Sequence, residues 1–62
     1  MPFVSIKIAR GRSLEQKRNL ARSVTEAIAA SINVQPEKVW IQIDEFEPAN
    51  FAVNGQLMAD KT

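Results

Sequence analysis

The stretch Phe3-Val4-Ser5-Ile6-Lys7-Ile8-Ala9-Arg10-Gly11-Arg12-Ser13-Leu14-Glu15-Gln16-Lys17 decides the fold, because a two-residue period gives way to a helical one inside it. Over residues 3–9, Val4, Ile6 and Ile8 fall on one side and Phe3, Ser5 and Lys7 on the other. Such alternation, rich in β-branched residues, predicts a half-buried strand. Arg10-Gly11-Arg12 breaks it. Ser13 then reads as a helix N-cap, and Gln16 stands three residues later as its partner in a capping box.

Residues 14–32 keep helical spacing. Leu20, Ala21, Val24, Ala27, Ile28, Ser31 and Ile32 lie along one stripe, as expected of a helix with one covered face. Lys17, Arg18, Arg22 and Glu26 flank it, and Arg22 and Glu26 are spaced to pair at i, i+4. Pro36 disfavours helix at Gln35, so the helix is expected to stop near Asn33. Residues 39–46 alternate again. Val39, Ile41 and Ile43 share one face; Trp40, Gln42, Asp44 and Phe46 share the other. Strand, long helix and strand make a β-α-β unit with parallel strands. The two aliphatic strand faces are expected against the helix stripe. Glu47-Pro48-Ala49-Asn50 reads as a loop. Asn54-Gly55, between Phe51-Ala52-Val53 and Gln56-Leu57-Met58, predicts a small C-terminal hairpin, expected to pack on a neighbouring subunit. The fold class is α+β, with one domain over residues 1–62.

One helix covers only one face of a two-stranded sheet. Phe3, Trp40 and Phe46 are left on the other, and the sheet edges stay open. A chain of 62 residues is marginal unless something supports it. It has no cysteine and no histidine, so disulfides are excluded and a zinc site lacks its usual ligands. Self-assembly is the remaining common device. The net charge of +1 gives no electrostatic case for nucleic acid or an anionic membrane. No run approaches the roughly 18 apolar residues of a membrane span, and the N-terminus lacks a signal-peptide layout. A soluble cytoplasmic protein is expected.

No Ser-His-Asp or Cys-His arrangement, phosphate-binding glycine loop or metal motif is present. Any catalysis therefore needs an unusual group, and Pro2 is the candidate. Initiator methionine is commonly removed before a small residue, which would leave Pro2 as a free secondary amine. An α-amino group titrates at roughly 7.7–8.0 in simple peptides. An apolar pocket and a nearby cation both favour the neutral, basic form; Phe3 and Arg12 are placed to supply them. The plainer reading makes Pro2 a stiff start to a strand. With Met1 retained, its nitrogen is an amide without useful basicity.

Pro2, Gly11-Arg12-Ser13, Glu15-Gln16-Lys17-Arg18, Asn50-Phe51 and Gly55 together resemble the 4-oxalocrotonate tautomerase family over nearly the whole chain. The resemblance implies a β-α-β protomer that assembles as a homohexamer with active sites at subunit boundaries. It also implies cofactor-free proton transfer between enol and keto forms of a small 2-oxo acid. Pro2 matches the family's amino-terminal proline, the general base and then acid. Arg12 matches the arginine that grips a substrate carboxylate, and Phe51 the aromatic residue that makes the pocket apolar. Their plainer readings are a solvated loop arginine and ordinary hairpin packing.

The chain departs from the family at Trp40, where members acting on dicarboxylates carry a second arginine. Three readings follow: Lys38 reaches the same region, Arg10 turns inward, or the pocket takes a smaller or aromatic monoacid with Trp40 stacking on it. Trp40 as interface core is the plainer alternative. Other superfamily reactions (hydration, dehalogenation, decarboxylation) need an acidic or polar helper, for which Asp44 and Glu45 are the candidates. A non-catalytic scaffold is the remaining alternative.

Overall fold

The capping box expected at Ser13 is formed. Ser13 Oγ accepts from the Gln16 backbone N–H at 3.1 Å, and Gln16 Oε1 accepts from the Ser13 N–H at 2.9 Å. Two of the N–H groups that every helix start leaves unpaired are satisfied in this way. The computed structural model describes residues 1–61. The helix α1 spans Leu14–Ile32 and ends on Asn33, whose φ of 58° is the left-handed cap that asparagine tolerates. Strand β1 spans Phe3–Ala9 and strand β2 spans Trp40–Phe46. They pair in parallel, with Phe3 opposite Trp40, Ile6 opposite Ile43 and Ala9 opposite Phe46. The second strand therefore starts one residue later than expected. Pro36–Lys38 forms a 3-10 turn, and Val39 closes it by donating to the Pro36 carbonyl.

After β2, Pro48–Asn50 makes another 3-10 turn. The hairpin is shorter than the alternating runs implied: β3 is Ala52–Val53 and β4 is Gln56–Leu57. Asn54 and Gly55 both have positive φ, at 54° and 80°, as a type I′ turn requires. Met58–Asp60 closes the described chain with a third 3-10 turn.

The helix lies over the aliphatic sheet face. Lys17 of α1 reaches Glu45 at 2.9 Å, and Glu45 shares strand parity with Ile41 and Ile43. Val4, Ile6, Ile8, Ile41 and Ile43 are half-buried beneath it. The covered side of α1 comprises Lys17, Leu20, Ala21, Val24, Thr25, Ile28 and Ala29; Ala27, Ser31 and Ile32 of the expected stripe are exposed. Arg22 bonds Asn19 Oδ1 at 2.8 Å in place of the expected Glu26.

No described residue is fully buried, and Phe3, Leu14, Ile32 and Trp40 are each more than half exposed. The exposed surface is 4897 Å², against roughly 4,000 Å² for a compact folded chain of this mass. The radius of gyration is 14.8 Å, where a compact chain of this length would have roughly 11 Å. The protomer is a 43 × 24 × 13 Å slab, with apolar surface on both sides and no closed core.

Candidate active site

Strand β1 separates the residues that the sequence singles out. Pro2 sits at its start, where its carbonyl accepts the Trp40 N–H at 3.0 Å. Arg12 sits beyond its far end. Seven strand residues rising about 3.3 Å each place the two roughly 23 Å apart. Within one protomer the two candidate residues therefore lie at opposite ends of one strand.

The Pro2 end is aromatic. Phe3 and Trp40 are register partners on the open sheet face, with ring centroids 6.4 Å apart and planes tilted by 53°. Their exposures are 62% and 53%. Met1 is 78% exposed, so the bond that blocks the Pro2 nitrogen projects into solvent. Lys38 is nearby in sequence but belongs to the 3-10 turn before β2. It therefore does not share the strand face with Trp40.

The Arg12 end is a cleft of about 320 Å³ lined by Ile8, Arg12, Gln16, Lys17 and Leu20. The capping box fixes the backbone immediately after Arg12, so the guanidinium projects from an ordered helix start. Lys17 is held by Glu45 and Arg10 by Glu47 at 3.2 Å. Arg10 is thus tied to the end of β2 instead of turning inward. Arg12 has no carboxylate within 4 Å among the described residues. Its five donors remain open to a ligand.

Phe51 belongs to this same end. Its ring lies 4.9 Å from that of Phe46, and its carbonyl accepts the Met58 N–H at 2.8 Å, which moors the hairpin. Sequence reading placed Phe46 on the open face without this partner. The link between Phe46 and Phe51 depends on the 3-10 turn at Pro48–Asn50, which the Pro48 position hinted at. It also left Lys17–Glu45 unseen; the parity of Glu45 with Ile41 and Ile43 was the available signal. Asp44 is engaged on the open face, accepting from Gln42 Nε2 at 3.1 Å with Lys7 at 3.7 Å. Among the described residues, no group of three or more His, Cys, Asp or Glu side chains is placed to hold a metal. No helix is long and apolar enough to cross a membrane.

The protomer is thus a β-α-β unit with Pro2 at the head of its first strand, an arginine without an acidic partner among the described residues just before its helix, and a small C-terminal hairpin. The family model described as Tautomerase enzyme matches residues 2–61. The 2-hydroxymuconate tautomerase of Bacillus subtilis (strain 168) is 40% identical over 60 residues, 97% of either chain. Among solved structures, YwhB, a homologue of 4-oxalocrotonate tautomerase, superposes with a TM-score of 0.95 at 38% identity, covering 98% of this chain and all of that one. A heterohexameric 4-oxalocrotonate tautomerase from Chloroflexus aurantiacus J-10-fl matches with a TM-score of 0.91 at 38% identity, over 97% of both chains. The chain belongs to the tautomerase family, and it is an enzyme of the 4-oxalocrotonate tautomerase type.

Proposed function

We propose that the protein is a cofactor-independent keto–enol tautomerase of 2-oxo acids, with Pro2 as the proton carrier after loss of Met1. The observation that carries this reading is the placement of Pro2 at the head of β1, behind an exposed Met1, in a chain matched along its length by the tautomerase family. The neutral Pro2 amine removes the enol O–H proton. The C=O bond forms as the C=C electrons shift, and the protonated amine returns that proton to the carbon two atoms from the oxygen. One group of suitable basicity serves both halves of the transfer. Arg12 binds the substrate carboxylate through its planar fork, and Phe51 keeps the pocket apolar.

Pro2 and Arg12 are too far apart on one chain to meet one small substrate. The site is therefore completed between chains, the Pro2 end of one protomer facing the Arg12 end of another. The exposed apolar faces of the slab support assembly, and a homohexamer is the proposed state. Hydration or decarboxylation through Asp44 or Glu45 is disfavoured, because those carboxylates are engaged by Lys7 and Lys17.

The test is ketonisation of small enols followed by ultraviolet absorbance, on assembled protein whose intact mass lacks Met1. Pro2→Ala should lower kcat/KM by about 10²–10⁴-fold with the oligomer intact. Full activity in that variant would remove Pro2 from the mechanism.

A further inference from the structure

Among the described residues, one cation combines a place in a cleft with the absence of an acidic partner. Of the eight Lys and Arg, Lys7, Arg10 and Lys17 hold carboxylates, and Arg22 is bonded to Asn19. Arg18 lies on the exposed side of α1, and Lys61 follows the last 3-10 turn. Lys38 stands in the 3-10 turn before β2 and not in the strand. Arg12, in its cleft, is the cation with both a pocket and no acidic partner among the described residues.

The other half-site has the opposite character. Beside Pro2 stand two exposed rings, Phe3 and Trp40, on one face and 6.4 Å apart. The only polar hydrogen they bring is the Trp40 indole N–H. A carboxylate stripped of water against these rings would lack a counter-charge and would pay its desolvation cost unrelieved. An aromatic or extended conjugated tail would bury apolar area there and stack in offset or tilted geometry.

We propose that the site selects enols of 2-oxo acids bearing a single carboxylate and an aromatic or conjugated apolar tail, with the carboxylate on Arg12 and the tail against the Phe3–Trp40 pair. This substrate class rests on the Pro2 tautomerase reading. The enol carbon pair lies between the two anchors, beside the Pro2 nitrogen, and the proton transfer is unchanged.

The test compares phenylenolpyruvate, an aryl monoacid, with 2-hydroxymuconate, a diacid, on assembled protein free of Met1. The parent should favour the aryl monoacid in kcat/KM by about tenfold or more. Trp40→Arg should move the ratio towards the diacid by a similar factor, mainly through KM, and Lys38→Met should leave it unchanged. Preference of the parent for the diacid overturns the substrate class while sparing the tautomerase reading. So does an unmoved ratio in assembled Trp40→Arg, or a loss of diacid turnover in Lys38→Met. Absence of ketonisation with either enol overturns both readings. Should Trp40→Arg fail to assemble, competitive inhibition of the parent decides. Cinnamate should bind about tenfold more tightly than cis,cis-muconate, and equal or tighter binding of the diacid overturns the proposal.

Discussion

Arg12 owes its availability to residues that never touch a substrate. Glu45 and Glu47 engage Lys17 and Arg10, two cations close to it in sequence, and so leave Arg12 open. On the proposed mechanism, Arg12→Lys keeps the charge and loses the planar fork. KM for the enol acid should rise by about tenfold or more, with a smaller change in kcat, in steady-state ketonisation assays. An unchanged KM would return Arg12 to the role of a solvated loop residue. Pro2 was legible as a candidate because the chain offers no ordinary catalytic group; Arg12, Phe51 and Trp40 were legible only through the resemblance to the 4-oxalocrotonate tautomerase family. Their division between two ends of β1 went unread: the sequence analysis set Arg12 beside Pro2 as its nearby cation, although the seven-residue strand between them keeps the two apart within one chain. The ion pairs were harder to read. Lys17–Glu45 joins residues 28 positions apart, and only the helix's seat on the sheet brings them together.

Among the elements, α1 carries the clearest local code. Its N-terminal box and its left-handed asparagine cap are written in Ser13, Gln16 and Asn33. Ser13→Ala should destabilise the protein by about 1 kcal/mol per chain, measured by chemical denaturation at fixed protein concentration. Because Ser13 directly follows Arg12, the same variant loosens the backbone that aims the guanidinium. A loss of stability with no rise in KM would show that the aim does not depend on the cap. The hairpin was legible from Asn54-Gly55, whose positive φ values few other residue pairs adopt at low cost. The 3-10 turns were not. Each is a short run whose bonds depend on how the flanking strands are placed, as when Val39 closes on Pro36 just before β2 begins. That turn moves the start of β2 to Trp40 and removes Lys38 from the strand face.

The whole molecule is a slab whose covered face is only half-buried and whose other face carries exposed rings. On the proposed assembly its stability includes contacts between chains, and the melting temperature should rise with protein concentration across a hundredfold dilution series. A flat series, with a monomeric mass by light scattering, would mean that the lone slab is self-sufficient. Sequence composition pointed to assembly through what was missing: no cysteine, and one helix for two sheet faces. It could not supply the number of copies, because that depends on the angles between slabs, which no residue pattern encodes. The separation of Pro2 from Arg12 along β1 also bears on how such a gene can change. On the proposed site, each chain lends a base to one neighbour and an anchor to another. After gene duplication, one daughter can lose its proline and the other its arginine, and mixed rings keep some pockets whole. A short gene thereby gains a route to two specialised products, neither of which works alone.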